Sequence, residues 1–306
     1  MRLKKIIEKE TYPPKILLKL MLKGFFSLGF LLLKNLGSLK KLRSLDKDAP
    51  KYERPQPSYK TPEYRENTRF CHSEEKYLRP SPYCNCWAPE IIAMANELGA
   101  YEKSDYEYAE TVFEFVKRKI ILEILPLDDV VDVLKRGTGT CIHEISLFIA
   151  LCRVGGIKAR YKLYAPMAVE NWYEHLIGAD PLIKKWYDAM GYFMLHGEGE
   201  VLIDGKWIPA DVAPTPERQA ATGIPITKFG EDSIGVWFFV VPGTIMRRES
   251  LSVGGGLLMK PLAKLLSGSI ARVNASVLAQ IEKGRKIFHE MGEEAYDKKV
   301  RKTYAP

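Results

Sequence analysis

The 306-residue sequence carries no G-x-x-x-x-G-K phosphate loop, no dinucleotide-binding fingerprint and no internal repeat. The common nucleotide-binding scaffolds and the solenoid architectures are therefore set aside. It also lacks an even set of cysteines. There are five, Cys71, Cys84, Cys86, Cys141 and Cys152, without evident pairing, and no cleavable leader is recognisable. Such a set suits thiols kept reduced in a cytoplasm better than a secreted disulfide framework. Cys71, His72, Cys84 and Cys86 invite a zinc reading, but C-x-C is not the usual knuckle spacing. Adjacent Cys71 and His72 can hardly serve one ion. The favoured reading is reduced structural thiols, with no metal and no cofactor.

Basic charge is scarce outside one end of the chain. The net charge is +8, yet residues 1–60 hold 15 Lys/Arg against 5 Asp/Glu and leave 31 against 33 for the rest. The body is close to neutral, so a nucleic-acid groove, which would place its basic residues there, is not expected. Long apolar runs are scarce too. The greasiest, Ile16–Leu33, contains Lys19 and Lys23, and a charge at mid-bilayer costs about 2.5–3.5 kcal/mol. Lys15, Lys19, Lys23 and Ser27 recur every four residues and make one polar stripe on a helix. With Lys40, Lys41 and Arg43 following, the helix over 16–33 reads as lying in an anionic membrane surface contacted through residues 16–43, a true membrane span being the least favoured reading. Packing on the protein's own body is the alternative.

What remains is ordinary globular material, 46% hydrophobic and 27% charged, enough for a substantial core. Residues 1–45 form a basic apolar helical extension. Residues 46–84, opening on the aperiodic Pro- and charge-rich run 46–66, read as a linker. Helical periodicity starts at Pro89 and returns from about Tyr106 to Ile121, with Ser104 or Asp105 as N-cap. In GTGTCIHEISLFIALCRVGGIKARY a helix opens near Cys141, is apolar nearly all round and ends at Gly155 and Gly156. Ala159 to Tyr164 reads as a strand. Asp204-Gly205 reads as a hairpin turn inside GEVLIDGKWIPADV. GVWFFVVPG is a further strand. Residues 251–306 read as a C-terminal helical segment with a break at Pro261.

The chemistry concentrates on Cys141. A thiolate is the useful nucleophile, and a cysteine in the first turn of a helix meets the positive end of the helix dipole. Glycines before it allow a sharp turn and room for a substrate carbonyl, and its own N–H can face an oxyanion. Taken alone, a cysteine on an apolar helix is more often a small core residue. A base must come from elsewhere. His196 precedes one strand-like run and Asp211 ends the next, so a hairpin brings them together, with Asp211 holding the imidazole. His143 and Glu144 point elsewhere along the helix and are given solvated or structural roles.

These segments resemble the transglutaminase-like superfamily. There, a G-x-G-x-C turn opens a buried helix ending in R-x-x-G-I-x-A-R, and HGEGEVLIDGKWIPADVAPT is similar to the family's histidine and aspartate motifs. The departures are Glu198, where an aromatic residue is common, and an Asp-Pro-Thr ending stretched to DVAPT. The resemblance implies an α+β, papain-like core over residues 85–250, a Cys-bearing buried helix packed on an antiparallel sheet. It implies Cys141, His196 and Asp211 as catalytic residues, and a thiol-dependent hydrolase or acyltransferase acting on amide or isopeptide bonds of a peptide, protein or amide substrate. A catalytically inactive binding module and a membrane-surface scaffold are the rival readings. The aromatic segment 167–195 either roofs the cleft or is structural.

Overall fold

The computed structural model describes residues 48–193, 195–251 and 266–304, with residues 15, 19, 22, 23, 26, 260, 263 and 264 besides. The expected helix over 16–33 and the break at Pro261 lie outside the described residues, apart from these single positions.

Two helices lead into the core, α1 (Pro89–Glu97) and α2 (Asp105–Lys119). Helix α1 starts with proline at its first position, where the missing N–H costs nothing. Helix α2 starts from a reciprocal capping box, in which Ser104 Oγ accepts from Glu107 N–H and Glu107 Oε2 accepts from Ser104 N–H. Such a cap contributes about 1 kcal/mol. Strand β1 (Ile121–Leu122) pairs in parallel with β2 (Thr138–Gly139), and α3 (Val130–Arg136) joins them. Helix α4 (Cys141–Val154) follows at once, and every residue in it after Cys141 is buried.

Helix α4 is the axis of the molecule. Helices α1, α2 and α3 pack against it, as does the sheet. Its last carbonyls are not left to water: Tyr108 Oη donates to Leu151 O at 2.8 Å, and Tyr101 Oη and Cys71 N–H donate to Val154 O at 2.6 and 2.8 Å. Arg153, buried at the same end, donates to the carbonyls of Arg79, Ala159 and Glu249. A buried guanidinium is tolerable only when so bonded. Residues 52–86 are accordingly extended chain laid along the body. Arg54 forms a fork with Glu123, and Cys84 and Cys86 are fully buried core thiols.

The sheet comprises β3 (Ala159–Tyr164), β5 (His196–Ile203), β6 (Lys206–Ala210) and β8 (Met246–Arg248), in the order β6-β5-β3-β8, all antiparallel. The β5–β6 hairpin closes through Asp204 and Gly205 at φ 49° and 74°, the two left-handed residues that a twist-compatible two-residue turn requires. Two-residue alternation splits the sheet's faces. Tyr161 points to α4, where its hydroxyl meets Ser146 Oγ at 2.9 Å, whereas Lys162 and its register partner Glu198 point away.

Between β3 and β5 come β4 (Pro166–Ala168), helical turns Glu170–Trp172 and Tyr173–Ile177 (the second wound as a π-helix), and α5 (Pro181–Met190). Strand β4 pairs with β7 (Phe238–Val240). The strand read from GVWFFVVPG is thus confined to its centre, because Ile234–Trp237 turns before pairing begins. After β6, α6 (Pro216–Ala221) is capped by Thr215 and packs against α7 (Ser267–Met291), which α8 (Glu293–Thr303) follows. No helix among the described residues is long and apolar enough to cross a membrane.

Candidate active site

Cys141 is the first residue of α4 and is only partly buried. The turn before it is held tightly. Gly137 adopts φ 71°, and a Cβ on Gly139 would fall 2.5 Å from that of His143, so only glycine fits there. His143 is itself almost fully buried. Its Nδ1 accepts from Thr140 N–H at 2.9 Å, and its Nε2 faces an Asp128 carboxylate oxygen at 3.0 Å. It fastens the nucleophile loop as a cap.

His196 opens β5. Its ring lies 4.4 Å, centroid to centroid, from Phe238 and 5.8 Å from Tyr164, the residue opposite it on β3. Asp211 follows the last residue of β6, and Ala210 pairs with Gly199. The hairpin therefore carries histidine and aspartate on neighbouring strands. Both residues are buried, and His196 Nε2 and Asp211 Oδ2 have no hydrogen-bond partner. Asp211 Oδ1 accepts from Ala213 N–H at 3.2 Å. The charge of Asp211 reaches both of the other residues, raising the pKa of the Cys141 thiol and of the His196 imidazole alike. Catalytic hydrogen bonds often close only around substrate.

Electrostatics correct one expectation from sequence. The helix start was to favour the thiolate, but burial pushes the Cys141 thiol up to about 12, with Glu144, at a pH high enough to ionise it, and Asp211 adding to the rise. The neighbouring Ile142 N–H works the other way without overcoming it. Losing water outweighs a partial dipole charge. Burial also brings the His196 imidazole down to about 4, with Arg218 assisting and Asp211 opposing. At neutral pH the pair rests as thiol and neutral imidazole.

Three further ionisable groups crowd this region. Glu144, one turn along α4 from Cys141, is fully buried with both carboxylate oxygens unpartnered, so a solvated role is excluded for it. Arg218 on α6 is buried and donates through Nε to Gln280 Oε1 at 3.2 Å. Lys117, at the end of α2, donates to Pro214 O at 2.8 Å and Thr227 Oγ1 at 3.0 Å. Burial lowers its pKa to about 8. Sequence reasoning gave no signal for Arg218 or Lys117. Lys117 stands in a Lys-Arg-Lys run that looks like a solvated helix end.

Glu198 does not serve the histidine. It is buried against Lys162 Nζ and accepts from Ser233 N–H and Oγ. Its pKa is lifted to about 8, chiefly by burial. Among the other sulfur residues, Cys84 Sγ approaches Ser146 O and Cys86 Sγ approaches Leu78 O, while His72 lies on the Trp87 ring at 4.4 Å. No group of three potential metal ligands occurs among the described residues.

A buried helix with a cysteine at its start, packed on an antiparallel sheet that brings histidine and aspartate to neighbouring strands, is an α+β arrangement of the papain-like class. Residues 92–212 match the family model described as the transglutaminase-like superfamily. Among solved structures, a candidate cysteine protease from Cytophaga hutchinsonii is similar at 21% identity and a TM-score of 0.34, over 45% of this chain. The similarity spans 40% of that protein's length. A comparison with curated proteins gives no match.

Proposed function

We propose that the protein is a thiol-dependent hydrolase or acyltransferase that cleaves an amide or isopeptide bond through an acyl-enzyme on Cys141. The supporting observation is that the charge of Asp211 reaches both Cys141 and His196, while His196 Nε2 and Asp211 Oδ2 are buried without a hydrogen-bond partner. Buried polar atoms are rarely left empty without a functional reason.

In the proposed cycle, neutral His196 takes the proton from Cys141 Sγ as the sulfur attacks the substrate carbonyl carbon. Asp211 steadies the resulting imidazolium. The tetrahedral intermediate collapses, the C–N bond breaks, and the amine leaves with the proton returned by His196. Water or a second amine then attacks the thioester, giving an acid or a new amide and restoring the thiol. The neutral resting pair means that proton transfer accompanies attack. The test uses a panel of peptide and glutamine-side-chain amides with amine release as readout. Cys141→Ala and His196→Ala should abolish turnover, and a turnover that survives in Cys141→Ala refutes the reading.

A second reading concerns location. We infer a cytoplasmic protein held peripherally on anionic membrane through residues 16–43. Leu22 and Phe26 are helical and exposed, at 50% and 75%, beside exposed Lys15, Lys19 and Lys23. Exposed apolar groups among lysines suit a lipid surface.

A further inference from the structure

We propose that Arg218 and Glu144 set the charge around the nucleophile: Arg218 supplies the positive charge that stabilises the Cys141 sulfur as a thiolate, and Glu144 stays a neutral acid that leaves this charge uncancelled. The proposal rests on the reading of Cys141 as the nucleophile and adds two positioning residues to it.

The argument starts from burial. Contrary to the expectation that Glu144 points elsewhere, it is three residues after Cys141, so both side chains emerge on one side of α4, and the charge of an ionised Glu144 reaches the thiol. It has no exposed surface, and neither carboxylate oxygen has a hydrogen-bond partner. An ionised carboxylate offers about four acceptor sites, and leaving all of them empty in a dry interior is expensive enough that the group keeps its proton. Burial accordingly raises the Glu144 pKa well above the ordinary carboxylate range, with Asp211 adding and Arg218 and Lys117 opposing.

The remaining charges then favour an anion. The groups facing Glu144 are Arg218 from α6, Lys117 from α2, Asp211 after β6 and Cys141 on its own helix. With Glu144 neutral, two cations stand against one carboxylate. The surplus positive charge has no use in the resting thiol state, and it suits a thiolate or the oxyanion that follows. Arg218 lowers the pKa of both the Cys141 thiol and the His196 imidazole. It is held from behind by Gln280 of α7 and anchored through its backbone N–H to Thr215 Oγ1 at 3.3 Å. Helix α7 thereby reaches into the chemistry.

The experiment measures alkylation of Cys141 by iodoacetamide, which forms an S–C bond and releases iodide, against pH in the full chain. Peptide mapping identifies the labelled cysteine. Arg218→Gln should slow labelling at neutral pH by about tenfold, one pKa unit's worth of thiolate, and Arg218→Lys should restore most of the rate. Glu144→Gln, a neutral isostere of the acid, should label at neutral pH within about twofold of the parent. An unchanged rate in folded Arg218→Gln overturns the proposal. So does a rate raised about tenfold in Glu144→Gln, because the carboxylate would then have been ionised and cancelling the arginine. Should Arg218→Gln fail to fold, Glu144→Gln and Arg218→Lys still decide. Labelling does not depend on turnover, so a chain that never cleaves an amide but shows these shifts refutes the enzymatic reading and leaves this one standing.

Discussion

Gly284 lies in the middle of α7, where helix propensity and tertiary packing make opposite predictions for alanine. Propensity alone favours Gly284→Ala by about 1 kcal/mol, since glycine loses the most backbone freedom in a helix. Packing opposes it. A Cβ at this position would fall 1.9 Å from Glu217 O, 2.4 Å from the carbonyl carbon and 2.6 Å from Cα of the same residue. All three are backbone atoms of α6, so no rotamer relieves them. The helices would have to part by more than about 1 Å to reach ordinary contact near 3.5 Å. That movement strains the Arg218–Gln280 and Lys283–Ala221 hydrogen bonds, at 3.2 and 2.8 Å. Overpacking costs about 1–3 kcal/mol and a weakened hydrogen bond about 1 kcal/mol. After subtracting the propensity gain, the variant should be less stable by about 2 kcal/mol. Urea denaturation followed by circular dichroism reads this as a lower midpoint at unchanged slope. A variant as stable as the parent, or more so, refutes the close α6–α7 contact and with it the bracing of Arg218.

Thiol reactivity should follow burial. Cys141 is partly exposed, whereas Cys152 is fully buried and its pKa is pushed well above the ordinary range by burial. Iodoacetamide should therefore label Cys141 before Cys152 in the native protein, and equal rates for the two on peptide mapping would count against a special role for Cys141. The His196 imidazole is depressed in the folded state to about 4 from 6.5. Its contribution to stability is present above pH 6.5 and is lost as pH falls toward 4, by up to about 3 kcal/mol. His196→Phe should flatten that part of the stability–pH curve, and an equally steep decline in the variant would contradict the burial argument. Full-length protein should sediment with anionic vesicles and be partly released by high salt. A chain beginning near Asp46 should stay in solution, and its co-sedimentation would end the membrane reading.

Much of the core was legible because its signals are local. The apolar run after Cys141, the alternation of residues 159–164 and the Asp-Gly turn each encode their element within a few residues. The boundaries of α4, β3 and the β5–β6 hairpin follow from them. The order of cysteine, histidine and aspartate was readable for the same reason. Glu144, Lys117 and Arg218 were not. Their importance is a matter of burial and of each other's charge, and the fold decides both by bringing α2, α4, α6 and the end of β6 to one place. The thiol's resting state went the same way, since a helix start is written in sequence but the water it excludes is not. Residues 52–86 make the point from the other side. Most of them fall in the segment 46–84 that reads as a linker from the proline and charge of 46–66, but backbone and side-chain hydrogen bonds to partners more than 60 residues away, such as Arg54 to Glu123, are invisible until the chain has folded.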